Sequence, residues 1–275
     1  MPLFGVDTSQ PATKNVCTRA APLIGGVPPR FWGRYFNGTS DRKFQYNRSE
    51  NAVLHQLGIP VLCFARQMEC VGDPANAAAH ARENMKGVVE AFGEQYLLNR
   101  KLSPILYLDL EPEGKKAAYI LDQRYYAIWS ASIVAGYKVQ GGVIAFRPAV
   151  YLNQGDSQKS WLRINDACAA GAVCVGAFPA HYISQDSKDK VSPPPPSSAI
   201  MWNDQDRRPS PSPIPPGHAN ANIPVVAWQY YGDYPKKWVP DQKDPVPGDI
   251  DFDMVNPAQE ELVLSGLVLP PPGLP

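Results

Sequence analysis

Apolar residues along this chain come in short runs, each bounded by Gly, Pro or polar breakers, and such runs read as buried strands. They are Leu3–Asp7, Phe31–Phe36, Ile59–Ala65, Ile105–Glu111, Gly142–Arg147, Val173–Phe178, Val225–Tyr230 and Ile250–Asp253. Between them the period lengthens to that of a helix. "DPANAAAHARENMKGVVEAFGEQYLL" opens on an Asp cap with Pro at the first helical position. "KKAAYILDQRYYAIWSASIVAGY" carries an apolar stripe at 3.6-residue spacing and stops near Gly136, and "QKSWLRINDACAAG" stops at Gly171. Strands alternating with helices imply parallel pairing, because a parallel crossover needs about a dozen residues. Eight units in about 250 residues match a (β/α)8 barrel of the TIM type, a single α/β domain. A doubly wound α/β sheet is the alternative; no G-x-G-x-x-G follows a strand to support it.

Proline divides the chain further. "SPPPPSS" and "RRPSPSPIPPGHANAN" mark residues 183–222 as an irregular insertion between strands six and seven, since proline cannot donate to a ladder. The barrel is expected to fill residues 1–262, with 263–275, ending "LPPPGLP", a proline-rich tail or linker.

Charge and composition exclude several roles. Lys+Arg and Asp+Glu each number 26, so no overall field draws the chain to nucleic acid or an anionic membrane. No apolar run approaches the roughly 20 residues of a membrane span, and "MPLFGVDTSQ" lacks the basic start and long apolar core of a signal peptide. The five cysteines make no C-x-x-C and read as buried thiols, with a Cys63–Cys70 bridge left open. The four histidines form no H-E-x-x-H pair. "DIDFD" resembles the start of a calcium loop, with Glu260 twelfth from Asp249, but Met254 stands where such a loop needs Gly. No metal or other cofactor is expected.

The candidate chemistry lies at strand ends, where barrels of this kind place their active sites. "LYLDLEPE" puts Asp109 and Glu111 on one face of a strand with Ile105 and Tyr107, while Leu106, Leu108 and Leu110 share the other. The acids therefore face the barrel interior at its mouth. Same-face neighbours lie about 7 Å apart at Cα, which lets two carboxyl groups stand roughly 5–9 Å apart, as in retaining and inverting glycosidases. A lone D-x-E at a strand end is more often solvated, or the partner of a basic side chain. Asp7 and Asp251, at two other strand ends, shift the balance toward a shared acidic site in which crowding raises one pKa. Glu111 is the expected general acid. Arg34, Tyr35, Tyr107, Trp228, Gln229 and Tyr230 are candidates to bind substrate, the aromatic faces as sugar platforms; Arg34 as an acid's structural partner and Trp228 and Tyr230 as plain core are the alternatives.

In order along the chain, "FGVDTSQP", "FWGRYFNG", "LYLDLEPE", "VAWQYYG" and "DIDFDMVN" resemble the family 25 glycoside hydrolases, lysozymes that cleave peptidoglycan, and more closely the glycoside-hydrolase-like domain family 1906. The resemblance runs from Leu3 to about Asn256. It implies a barrel with an acidic groove, Glu111 as general acid, Asp109 as its partner, and Asp7 and Asp251 as the aspartates of the first and last strands. It also implies a retaining reaction assisted by the substrate's N-acetyl group, an exception to the two-carboxylate scheme. Pro112 directly after Glu111 and the long insertion depart from the lysozyme pattern. The expected substrate is a polysaccharide, bacterial peptidoglycan first and another glycan second; a catalytically silent barrel binding glycan or protein is the alternative. A wall-degrading chain without a signal peptide implies release by lysis or a dedicated secretion machine, with an immunity protein as a further expected partner.

Overall fold

The structure, a computed structural model, describes residues 3–23, 28–36, 45–66, 70–110, 120–153, 158–181, 202, 214–232 and 250–273. Eight strands close into a barrel. They are β1 (Phe4–Thr8), β2 (Trp32–Tyr35), β3 (Val61–Arg66), β4 (Ile105–Leu110), β5 (Arg147–Asn153), β6 (Ala177–Ala180), β7 (Ala227–Tyr231) and β8 (Ile250–Val255). Around the outside run α1 (Lys14–Leu23), α2 (Glu50–Leu57), α3 (Ala77–Phe92), α4 (Glu94–Asn99), α5 (Gln123–Ala135) and α6 (Gln158–Ala169), and α7 (Glu260–Leu264) follows the last strand.

The helix boundaries follow local chemistry. Asp73 accepts from Ala75 N at the 3-10 turn that leads into α3, and Asp122 accepts from Arg124 N and Tyr125 N at the start of α5. Gly93 (φ 89°) separates α3 from α4, and Gly136 (φ 74°) ends α5, both in the left-handed region open to glycine.

Two expectations are corrected. The fifth barrel strand is Arg147–Asn153, not Gly142–Arg147. Gly142–Ile144 instead forms a small antiparallel hairpin with Tyr137–Val139. Pro148, which lacks an N–H, disguised the true strand, although a parallel strand can still accept through Pro148 O, here from Val175 N at 2.8 Å. The last strand is not parallel: β8 runs antiparallel to both β1 and β7. The register pairs Asp7 with Asp251 and Gly5 with Asp253. The mouth of the barrel thus meets the beginning of β8 rather than its end.

Side chains alternate between two cores. Outward-facing residues such as Val61, Cys63, Leu106, Leu108 and Leu110 pack against the helices, where α3 and α5 contribute Met85, Val88, Tyr125, Trp129 and Ile133. The barrel interior is itself packed, with Leu62, Phe64, Tyr107, Tyr151 and Phe178 at its centre. Phe64 meets the rings of Tyr151 at 5.2 Å and Phe178 at 5.9 Å. Any substrate must therefore sit above this plug, at the mouth.

The floor is closed by residues from the segment that composition reads as a tail. Val263 and Leu267 are buried against Ile105. Val268 exchanges backbone hydrogen bonds with Val61 at 2.8 and 3.0 Å, and Ile105 N donates to Gly266 O. Tyr96 Oη donates to Leu269 O at 2.6 Å.

One ion pair anchors the outer layer beside β1. Arg34, fully buried on the outward face of β2, donates Nε and Nη2 to Glu50 at 2.9 Å each and Nη1 to Thr8 O. Glu50 also accepts from the backbone N–H of Ala12 and Asn47. Removing one member of such a pair strands a buried charge. Glu50→Ala is expected to cost about 3–5 kcal/mol in urea unfolding; a loss below about 1 kcal/mol would show the pair to be dispensable.

Candidate functional site

The mouth is built from strand ends that the barrel closure brings together. On β1, Asp7 points inward. It has room because Gly33 stands beside it on β2: a Cβ at Gly33 would collide with Asp7 Cβ and the Phe64 ring. Asp7 is 1% exposed. Its Oδ2 accepts from Gln229 Nε2 at 2.9 Å, and Gln229 Oε1 accepts from Tyr151 Oη at 2.8 Å. A carboxylate acceptor requires the amide nitrogen of Gln229 to face Asp7, so the bond pattern fixes the orientation of the amide. Tyr151 is the register partner of Asp109, which lies fully buried on the inward face of β4. A relay from β5 through β7 to β1 thus joins the neighbourhoods of the two aspartates.

The next carboxyl group was not among the sequence candidates. Asp253 lies two residues beyond Asp251 on the same face of β8, is fully buried and faces Gln229 across the ladder. The strand pairing slips here, since Phe252 faces Tyr231 while Asp253 faces Gln229. Such a bulge re-aims side chains beside a site. Neither Asp253 oxygen accepts from an N–H or O–H donor among the described residues, and its side chain hydrogen-bonds Asp7. Two buried carboxyl groups in contact cannot both ionise. Burial first, then the charges of Asp7 and Asp251, then the bond to Asp7 hold the Asp253 carboxyl well above the usual carboxylate range. The raised pKa favours a proton on Asp253, placed to be donated to Asp7.

The sequence candidates separate into those at the mouth, those on the outer face and one beyond view. Asp7 and Gln229 are hydrogen-bonded in the interior, Asp109 faces inward beside Tyr151, and Asp251, half-buried, stands across the ladder from Asp7. Tyr35 and Tyr107 also face inward. The Tyr35 ring lies 5.4 Å from Phe64 and carries the Arg66 guanidinium 5.4 Å from its centroid. The Tyr107 hydroxyl is buried with no hydrogen-bond partner among the described residues, and burial raises its pKa. Arg34 faces outward to Glu50. Trp228 and Tyr230 alternate with Gln229 onto the outer core, where Trp228 Nε1 donates to His181 O at 2.7 Å and Tyr230 packs edge-on to Phe4. These three side chains do not line the interior. Glu111 and the insertion, apart from Trp202 and residues 214–222, lie outside the described residues. Asp253 was legible in one respect: it is the second acid of a D-x-D run, on the same face as Asp251.

Solved proteins share this architecture. An uncharacterized protein from B. stearothermophilus matches with a TM-score of 0.56 at 17% identity, over 96% of this chain and 99% of its own. A muramidase from Acremonium alcalophilum matches with a TM-score of 0.50 at 18% identity, over 96% and 99%. The barrel is similar to that of a muramidase. The catalytic domain of the endolysin ply40, from bacteriophage P40 of Listeria monocytogenes, matches at 0.48 and 13%, too loosely to bear on the argument. No family model matches the sequence, and neither does any curated protein. At such identities the likeness describes the fold. Among the described residues no group of three or more His, Cys, Asp or Glu is placed to hold a metal, and no helix is long and apolar enough to cross a membrane.

The shared proton has a consequence for stability. The folded chain holds a proton on Asp253 that the unfolded chain releases near pH 4. The favourable contribution is therefore complete below about pH 4 and is lost as pH rises through the elevated folded value, by at most about 1.4 kcal/mol per pH unit. Asp253→Asn supplies a donor that does not titrate. In urea unfolding from pH 4 to 8, the variant is expected to gain on the wild type as pH rises; parallel profiles would remove the proton from Asp253.

Proposed function

We propose that the chain is a glycoside hydrolase of the muramidase type that cleaves the β-1,4 link between N-acetylmuramic acid and N-acetylglucosamine in bacterial peptidoglycan. The observation that carries this reading is the convergence of inward-facing acids from β1, β4 and β8 at one end of a closed barrel. The order of motifs along the sequence supports kinship with the glycoside-hydrolase-like family 1906, and the muramidase with a similar barrel supports a glycan substrate.

Each acid has a role in this reading. Glu111, two residues after Asp109 in the sequence, protonates the leaving glycosidic oxygen. Asp109, fully buried, orients the N-acetyl group that closes on the anomeric carbon. Asp7 stabilises the positive charge that develops on the sugar, held in place by Gln229 on one side and by the proton of Asp253 on the other. Asp251 keeps the field at the mouth negative. Neutral Asp253 is a positioning residue: it adds a donor to Asp7 without adding a second charge beneath it.

Turbidity clearing of purified peptidoglycan tests the proposal. Glu111→Gln is expected to lose at least about 100-fold in rate, the usual weight of a general acid. Equal clearing by variant and wild type would take Glu111 out of its role. No clearing by either, together with retention of the wild type on sedimented walls, would replace the enzyme with a glycan-binding barrel.

A further inference from the structure

The five cysteines are not equivalent. Cys17 and Cys63 are buried in the outer core. Burial pushes the Cys17 thiol up to about 12 and raises that of Cys63 as well, so neither offers a thiolate. Cys168 and Cys174 differ in three respects: both are half-buried, they lie at the edge of the outer core, and their side chains are hydrogen-bonded to each other.

The backbone holds that contact rigidly. Cys168 sits in the last turn of α6, and the chain reverses at Gly171 (φ 104°), where Ala172 N donates back to Ala167 O at 2.9 Å. The return limb is pinned at Val173. Its N–H donates to Ser130 Oγ, and its carbonyl accepts from Ser130 Oγ at 2.7 Å and Tyr126 Oη at 3.1 Å. Cys174 therefore stands fixed opposite Cys168 at the entrance to β6, its Sγ donating to Gly176 O at 3.4 Å. The two thiols respond in opposite directions. For Cys168, the hydrogen bond with Cys174 and then burial raise the pKa. For Cys174, burial raises it, but contacts with the Cys168 and Tyr126 side chains and with the Gly176 backbone outweigh burial and bring it below the ordinary thiol range.

We propose that Cys168 and Cys174 are a dithiol site that closes to a disulfide between α6 and β6 on reaction with a low-molecular-weight disulfide. The Cys174 thiolate attacks one sulfur of the small disulfide, forming a mixed disulfide and releasing one small thiolate. Cys168 then loses its proton to solvent and attacks Cys174 Sγ, releasing the second. The two cysteines give up two electrons, and one small disulfide becomes two small thiols. The bond staples the end of α6 to the strand that leads to the mouth, and it forms independently of any glycosidase activity.

Peptide mapping of the full chain without reduction, after equilibration with glutathione disulfide, tests this. The expected result is one internal disulfide linking Cys168 and Cys174, with Cys17 and Cys63 alkylated only after unfolding. Cys168→Ser is expected to stop at a single glutathione on Cys174, and Cys174→Ser to leave Cys168 largely unmodified. The oxidised wild type should melt on the order of 5 °C above the reduced protein, a shift that Cys168→Ser does not show. Recovery of both cysteines as free thiols under these conditions, or of Cys174 joined to another cysteine, would overturn the proposal.

Discussion

The contact between two buried carboxyl groups, Asp7 on β1 and Asp253 on β8, is the constraint on which the mouth of this barrel depends. A closed barrel leaves no edge and packs its interior with side chains. Placing two acids inside it is tolerable only if they carry fewer than two charges. One shared proton meets that requirement, and Gln229, oriented by Tyr151, satisfies Asp7 from the other side. Remove the shared proton and the interior holds two like charges; remove the amide and Asp7 loses a direct donor.

The geometry that makes the contact is topological. Because β8 runs against its neighbours, its first residues rather than its last reach the mouth, which puts Asp251 and Asp253 opposite Asp7 and Gly5. Two glycines on neighbouring strands make room around this layer. A side chain at Gly5 would strike the Phe31 ring, and one at Gly33 would strike Asp7 itself. Below this layer, the tilted and edge-on rings of Phe64, Tyr107, Tyr151 and Phe178 fill the barrel, and residues 263–268 cap its floor. The low-dielectric plug beneath the acids is what makes their hydrogen bonds strong and their charges costly.

Local rules carried the sequence reading where the deciding information is local. Alternation along "ILYLDL" correctly sent Asp109 inward and the leucines outward, and Asp73 and Gly136 marked where one helical stretch begins and another ends, whereas the helical patterns read straight through Gly93 and Asp122, where the structure has boundaries. The reading failed where a partner strand decides. Nothing within "DIDFD" states that its strand runs backwards, so the second acid of the pair, Asp253, was passed over in favour of Asp251. The same alternation that placed Gln229 inward turns Trp228 and Tyr230 outward, but a sugar platform and a core aromatic look alike in sequence. Arg34 reads as a ligand for substrate until Glu50, sixteen residues away, is seen to hold it. Pro148 hid a barrel strand because the penalty for proline belongs to donor positions, and this one needs only to accept.

The most direct measurement is the infrared spectrum of the intact chain in D2O at neutral pH, compared with that of Asp253→Asn and Asp251→Asn. The account requires one carbonyl band from an un-ionised carboxylic acid, present in the wild type and in Asp251→Asn and absent from Asp253→Asn. A wild-type spectrum with only ionised carboxylates, or a protonated band that survives Asp253→Asn, would contradict it.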